Sequence, residues 1–317
     1  LVYRMKIKIF TIIILFAICK FVVAQDKVQD NQLALLYYSK GEFAKAAEIY
    51  ESLFSQSHSQ IHFDYVIDCY KKLSQYSKAE IITKQQISLY PKNYYYQLVL
   101  YTLYDEQNKT KESRDLLSKQ IKKALRTKFD CVEFADACIQ TKQLDIVQQF
   151  LAQAVKKYPD YVPLYKKQIA LYSTLLQYEK LSNAIINLLE DNPLELEFVK
   201  QQLQGLLVEQ SQSKLQEILL ERIYAKIDEN PGNIEYNELL LWLYIQEKAF
   251  KKAFVIARSL DIRLQSFGEQ VQNVGQIAFS NDEFAVATEC FTFVVQQGAD
   301  KPYYICLLYT SPSPRDS

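Results

Sequence analysis

The two histidines are the side chains with the most catalytic potential, and they lie four positions apart. His58 and His62 occur in the segment HSQIHFD, with Asp64 close by. Imidazoles at this spacing on one helix face can hold a metal ion, but the glutamate that follows the first histidine in HExxH motifs is missing. A serine or cysteine nucleophile would also need one of these two histidines as its base. We therefore predict solvated histidines, no metal, no cofactor and no enzyme activity.

The acidic pairs and the cysteines support the same interpretation. Asp105/Glu106 and Glu190/Asp191 fall near the ends of expected helices, without the apolar surroundings that raise the pKa of a general acid. Both pairs are predicted to be surface charge. The cysteines after residue 24 are odd in number and include no CxxC motif, so we expect small buried side chains rather than a disulfide framework: Cys69, Cys131, Cys138, Cys290 and Cys306.

The composition indicates a folded chain that is not an all-β protein. Of the 317 residues, 49% are hydrophobic, which excludes disorder over most of the length. The 6 glycines and 8 prolines are too few for the hairpin turns of an all-β fold. No cluster of glycines exists that could bind a phosphate through backbone amides.

Residues 1–24 differ from everything after them. All their charged residues are basic, an apolar run extends from Ile9 to Cys19, and the sequence VVA ends at Ala24. This pattern predicts a signal peptide cleaved after Ala24, with translation starting at Met5. The run is shorter than the roughly 20 residues of a spanning helix. A lipoprotein signal at Cys19 is disfavoured, because Ile18 stands where a small residue is required.

The chain changes character again at its other end. After Cys306 the sequence LLYTSPSPRDS continues no earlier pattern and resembles a translated adapter sequence. We exclude residues 306–317 from the fold as a sequence artefact and expect the natural protein to continue beyond this point.

A period of about 34 residues dominates the chain between these ends. Small or apolar residues recur at spacings of 33, 34, 34, 34, 38, 34 and 34 in the series Ala46, Ala79, Ser113, Val147, Leu181, Leu219, Ala253 and Ala287. Nine residues earlier, five of the eight positions are tyrosine: Tyr37, Tyr70, Tyr104, Tyr172 and Tyr244. Twelve residues later, four are proline: Pro91, Pro159, Pro193 and Pro231. Three columns in constant phase indicate a repeat protein.

Each unit contains two apolar stripes of helical period separated by a short polar turn. The alanine column suits two helices that cross closely, the tyrosines fill the opposite groove, and the prolines end the second helices. In unit one, Gly41 is expected to end the first helix in the left-handed conformation. The segment ALLYYSKGEFAKAAEIYESLF is similar to the tetratricopeptide repeat (TPR).

The resemblance implies a right-handed, all-α solenoid of about eight units over residues 25–305. The units lie near 27–59, 60–93, 94–127, 128–161, 162–195, 196–233, 234–267 and 268–301. The sixth unit has four extra residues, assigned to the polar stretch EQSQSK between its helices. A leader followed only by repeats also resembles secreted, uncharacterised TPR proteins of Bacteroidota.

The resemblance further implies that the first helix of each unit lines a concave face. Aromatic and charged side chains on such a face suit peptide capture, because rigid rings bury a large area at low entropic cost. Inward positions would be occupied by Tyr38, Asp64, Tyr65, Asp68, Lys71, Tyr95, Asp136, Lys166 and Trp242. For Trp242, within LLLWLYI, a place in the core is the alternative. The Lys and Asn pattern with which the family grips a peptide carboxyl terminus is absent.

These observations predict an exported scaffold, periplasmic or extracellular, that binds a protein or peptide. Two alternatives remain: the sensory input module of a longer envelope receptor, and an accessory factor in envelope assembly. Nucleic acid is not expected as a partner, because the chain without its leader is weakly acidic. We expect no membrane span in the chain. The cationic stretch KQIKKALRTK is interpreted as a helix C-terminus, with anion binding as the alternative.

Overall fold

A computed structural model describes residues 29–207 and 213–303 of the chain. All regular secondary structure in these two ranges is helical, and neither contains a strand, so the all-α prediction is confirmed. The predicted leader, the first four residues of the EQSQSK insertion and residues 306–317 lie outside the described residues. The described residues divide after Val147 into two compact units, which are described separately.

Over residues 29–147, the first compact unit contains seven helices and the beginning of an eighth, in which the division falls. These helices are α1 (29–39), α2 (Phe43–Ser57), α3 (Gln60–Lys72), α4 (Tyr76–Leu89), α5 (Tyr94–Glu106), α6 (Thr110–Ala124), α7 (Lys128–Gln140) and α8 (Leu144–Lys157).

The second compact unit continues the same alternation. Its helices are α9 (Val162–Thr174), α10 (Tyr178–Asp191), α11 (Leu196–Leu207), α12 (Ser213–Glu229), α13 (Ile234–Gln246), α14 (Phe250–Leu264), α15 (Glu269–Ser280) and α16 (Phe284–Gln296), with a 3₁₀ turn at Pro193–Glu195. Each column proline lies two residues beyond a second helix, since α4, α8, α10 and α12 end at Leu89, Lys157, Asp191 and Glu229.

Within each compact unit, consecutive helices pack together and also reach the next pair. In the first, α5 contacts α4, α6 and the next first helix, α7. In the second, α13 contacts α11, α12 and α14. Every member of the small-residue column is at most 4% exposed. Alanine and serine leave room for the crossing helix, and a larger side chain would have to displace it.

The turn between the two helices of a unit has the same geometry in the seven units where the structure describes it. The second residue after the first helix of these units is left-handed: Gly41, Ser74, Asn108, Lys142, Leu176, Lys248 and Asp282. The next amide donates to the carbonyl five residues earlier, which belongs to the tyrosine column, as Glu42 N does to Tyr37 O at 2.9 Å. This is a Schellman motif, which satisfies the last carbonyls of the helix. The prediction for Gly41 is confirmed, and six other units form the turn without glycine.

The tyrosine column also has a recurring ring contact. A lysine eight residues after the tyrosine places its ammonium over the ring in four units: Lys45 over Tyr37, Lys78 over Tyr70, Lys180 over Tyr172 and Lys252 over Tyr244. The distances to the ring centroids are 5.1, 5.2, 5.9 and 5.4 Å. Such cation–π contacts join the two helices of a unit across the turn.

One buried carboxylate holds the second and third helix pairs together. Glu80 on α4 has an 11% exposed side chain, and its Oε1 accepts from Lys109 Nζ at 2.5 Å and from Gln107 Nε2 at 3.0 Å. Its Oε2 accepts from Lys84 Nζ at 2.9 Å. Burial alone would raise the pKa of Glu80, but hydrogen bonds from the two lysines and the glutamine outweigh it and lower the pKa to about 2.

Candidate binding site

The first helices α3 and α5 border a pocket that we call the first-helix pocket. Its volume is about 170 Å³, and it is lined by Phe63, Asp64, Ile67, Asp68, Lys71, Tyr95, Val99, Thr102, Leu103 and Thr141. The lining residues recur at three- and four-residue steps along α3 and α5, so one stripe of each helix faces the pocket. Asn93 caps α5, since its side chain accepts from Tyr95 N at 2.9 Å.

The structure brings four of the nine predicted binding residues together in this pocket: Asp64, Asp68, Lys71 and Tyr95. The Tyr95 hydroxyl donates to Asp64 Oδ1. Burial raises the pKa of Asp64 above its ordinary value, and the hydrogen bond from Tyr95 opposes that rise. For Tyr95 itself, burial and the neighbouring carboxylate both raise the pKa of the hydroxyl.

The second aspartate of the pocket is held by a tyrosine of the preceding unit. The Tyr38 hydroxyl on α1 donates to Asp68 Oδ2 at 2.5 Å. This hydrogen bond, followed by burial, raises the pKa of the Tyr38 hydroxyl. Each pocket carboxylate therefore has one oxygen fixed by a tyrosine of a neighbouring first helix.

The positive charge of the pocket lysine is already balanced by a carboxylate. Lys71 Nζ lies 2.6 Å from Glu106 Oε1 at the end of α5. The prediction that Glu106 is simply surface charge is incomplete, because that carboxylate joins α5 to α3. The pairing could not be found from a pattern within one helix, since the two residues lie 35 positions apart.

Tyr65 and Tyr38 are arranged as supports for the pocket rather than as part of its lining. The Tyr65 ring stacks on buried Tyr50 with centroids 4.5 Å apart, and the Tyr38 ring meets Tyr65 edge-on at 5.3 Å. Such aromatic pairs add about 0.5–1.5 kcal/mol each beyond area burial. The aromatic cluster thus fixes α1 and α2 against α3 next to the two aspartates.

The other three predicted residues lie elsewhere. Asp136 is half-buried on α7 and is not part of the pocket lining. In the second compact unit, Lys166 Nζ pairs with Glu195 Oε2 at 2.8 Å and lies 4.4 Å from the centre of the Phe198 ring. Trp242 on α13 is half-buried, between Leu241 and Leu243, which are both buried.

The two histidines lie at the end of one helix and the beginning of the next. His58 takes the left-handed position after α2, whereas His62 lies in the first turn of α3, with its Nδ1 2.7 Å from Oγ of Ser57 at the end of α2. The two rings therefore do not share one helix face. In the described ranges, no group of three or more His, Cys, Asp or Glu side chains could hold a metal ion.

The acids at the end of α10 and the cysteines have structural partners. Glu190 Oε1 lies 3.4 Å from Lys226 Nζ, and Asp191 Oδ2 accepts from the Tyr165 hydroxyl. The four described cysteines are buried: Cys69, Cys131, Cys138 and Cys290. The Cys131 thiol donates to Ala124 O at 3.3 Å. Burial raises the pKa of Cys69 to about 11 and those of Cys138 and Cys290 to about 12, so these thiols are poor nucleophiles.

The cationic cluster lies at the end of α6. Lys119, Lys122, Lys123 and Arg126 line an open depression with Asp115 and Ser118. Lys122 and Lys123 belong to the last turn of α6, where cations are favoured by the helix dipole. Lys123 Nζ also donates to Pro91 O at 3.1 Å and lies over the Tyr94 ring.

The described helices define the class of protein. Two helices per unit, a recurring Schellman turn and small residues at the helix crossings are the features of an all-α helical-repeat protein, the fold that the resemblance to the tetratricopeptide repeat implies. None of the helices within the described ranges combines the length and apolar character needed to cross a membrane.

No protein-family model and no curated protein matches the chain. Among solved structures, it is similar to a tetratricopeptide repeat protein from Parabacteroides merdae, with 12% identity, a TM-score of 0.29, and coverage of 90% of this chain and 98% of that one. A TPR protein of Thermus thermophilus has 14% identity and a TM-score of 0.27 over 57% of this chain and 99% of its own. YrrB, described as a TPR protein with an unusual peptide-binding site, has 12% identity and a TM-score of 0.29 over 58% and 93%. TM-scores this low do not assign a function. The assignment of the repeat fold is based on the helices described above.

Proposed function

We propose that the chain is a protein-interaction scaffold that binds a peptide segment of a partner through the first-helix pocket and has no catalytic step of its own. The observation that supports this most directly is the pocket itself, in which charged groups and an aromatic residue converge above apolar walls. Its volume of about 170 Å³ is below the roughly 300–1,000 Å³ of sites that enclose a whole small molecule. A pocket of this size fits one side chain of a longer ligand.

The pocket is also built on rigid elements. Phe63, Ile67 and Leu103 are at most 5% exposed, so its apolar walls belong to the core of the first compact unit. Tyr95 is 8% exposed and is held by its hydrogen bond to Asp64. Because these side chains are ordered before a ligand arrives, little conformational entropy is lost on binding.

We further propose that binding takes place outside the cytoplasm, in the periplasm or the extracellular space. The apolar run from Ile9 to Cys19 and the small residues up to Ala24 support this part of the proposal. Expression of the chain with its leader, followed by fractionation and N-terminal sequencing, tests it. An exported product beginning at Gln25 is expected, and an uncleaved product in the cytoplasm would contradict it.

The binding proposal is tested with fluorescent nonapeptides of random sequence, capped at both ends and followed by anisotropy. Val99→Trp fills the pocket with a bulky uncharged side chain, and the matched control Ile82→Trp makes the same change at a half-buried aliphatic residue of the second helix α4. We expect Val99→Trp to abolish binding and Ile82→Trp to retain it, with thermal melting as the check on folding. If Val99→Trp does not fold, Val99→Thr keeps the volume and adds a polar group to the wall. Binding that is insensitive to both Val99 variants, or no binding by the parent, would refute the proposal.

A further inference from the structure

The first-helix pocket presents two carboxylates at helical spacing. Asp64 and Asp68 are four positions apart on α3, so their side chains lie on one face of the helix. Tyr95 donates to Oδ1 of Asp64, and Tyr38 donates to Oδ2 of Asp68. Within the described residues, no further hydrogen bond is made by Asp64 Oδ2 or Asp68 Oδ1. Each aspartate therefore keeps one acceptor oxygen for a ligand.

The charge balance of the pocket is negative. Lys71 is the only cationic residue in its lining, and its ammonium is paired with Glu106 at 2.6 Å. With this pair counted as neutral, the charges of Asp64 and Asp68 remain uncompensated by any other lining residue. A carboxylate of a ligand would meet like charge here, whereas a cation would find two acceptors close together.

The walls of the pocket complement this charge. Phe63, Ile67, Val99 and Leu103 supply an apolar surface beside the two carboxylates. Lysine and arginine side chains combine an apolar stem with a cationic head, so they match both parts at once. A purely aliphatic side chain would match the walls only, and would leave the two carboxylates partly desolvated without a partner.

We infer that the first-helix pocket selects a lysine or arginine side chain of the bound peptide, with Asp64 and Asp68 as the specificity-determining residues and Tyr38 and Tyr95 as the groups that position them. This inference rests on the proposed function and names the partner chemistry of the same site. The partner is thus a peptide or protein segment that presents a basic residue.

The test uses three libraries of fluorescent nonapeptides, capped at both ends, with uncharged random positions around a central lysine, norleucine or glutamate. Anisotropy titrations compare the parent, the isosteric variant Asp64→Asn/Asp68→Asn, and the control Glu48→Gln/Glu112→Gln, which removes two exposed carboxylates from second helices. Asparagine can still accept the tyrosine hydrogen bonds, so thermal melting should show an intact fold.

We expect the parent to bind the lysine library roughly tenfold or more tightly than the norleucine library, as for a charge-assisted hydrogen bond. The Asp64→Asn/Asp68→Asn variant should bind the lysine and norleucine libraries equally, and the control should behave like the parent. Equal binding of all three libraries that is still lost in Val99→Trp would overturn the charge selectivity and leave the proposed function standing. Preference for the glutamate library, or an unchanged preference in the double aspartate variant, would also overturn it. Absence of binding by every library would overturn both.

Discussion

Replacing Glu80 by glutamine is expected to destabilise the first compact unit by about 1–3 kcal/mol. The carboxylate accepts hydrogen bonds from Lys84, Lys109 and Gln107, and its side chain is 11% exposed. Its pKa falls from the ordinary 4.5 to about 2, and at 1.36 kcal/mol per pKa unit this corresponds to about 3 kcal/mol of stabilisation of the charged form. Glutamine keeps an acceptor but leaves two ammonium groups without their counter-charge.

The pH dependence of this loss has a definite sign. Because the folded-state pKa of Glu80 is lower than the unfolded one, its contribution to stability is complete above pH 4.5 and disappears as the pH falls towards about 2. The parent and Glu80→Gln should therefore differ most at neutral pH and converge at the acidic end of this window.

Urea-dependent hydrogen exchange of α4–α6 at pH 7 measures the loss, and thermal melting between pH 2 and 7 measures its pH dependence. Glu112→Gln on α6 is the matched control, since this exposed carboxylate should contribute only a few tenths of a kcal/mol at the helix N-terminus. Equal losses in the two variants, or a Glu80→Gln deficit that stays constant down to pH 2, would refute the reasoning.

Four further predictions concern other parts of the structure. Leu176→Gly should raise stability by roughly 0.5–1 kcal/mol, because Leu176 is left-handed and 57% exposed, whereas Gly41→Ala should lower it; thermal melting compares the two. Ala46→Leu should cost about 1–3 kcal/mol by overpacking a fully buried position, and Ala44→Leu on the exposed side of the same helix should cost little; urea midpoints that did not separate them would contradict the packing. Tyr95→Phe should raise the pKa of Asp64 further, since it removes the one hydrogen bond that lowers it; carboxyl NMR titration measures this, and an unchanged or lower pKa would be inconsistent with the contact. Trp242→Ala should lose less than the roughly 3–5 kcal/mol of a fully buried tryptophan while still melting cooperatively, because its side chain is only half-buried; a loss at or above that range would assign it to the core.

The period in the sequence predicted the helical fold, because close helix crossings require small side chains and these recur at fixed positions in the sequence. Ala46 and Ala253 are small for the same reason that they are fully buried. The recurring turn was harder to predict from the sequence. Only Gly41 among the turn residues is a glycine, while Leu176 and Lys248 adopt the left-handed conformation under the constraint of the Schellman hydrogen bonds.

The candidate site was predicted in part, for a physical reason. Asp64, Asp68 and Lys71 share one stripe of α3, and the resemblance to the tetratricopeptide repeat had placed all three among the inward positions. The pairing of Lys71 with Glu106 depends on how two helices are aligned side by side, which no pattern within either helix records. The half-burial of Trp242 likewise depends on its neighbours in space, because a run such as LLLWLYI is apolar on every face.

Hydrogen exchange of the first compact unit, with and without the lysine-centred nonapeptide library, tests the central claim most directly. Binding at the first-helix pocket should slow exchange in α3 and α5, whose residues line it, and leave the second helices α4 and α6 unchanged. Protection confined to α4 and α6, or no protection at library concentrations that saturate the anisotropy signal, would contradict the account.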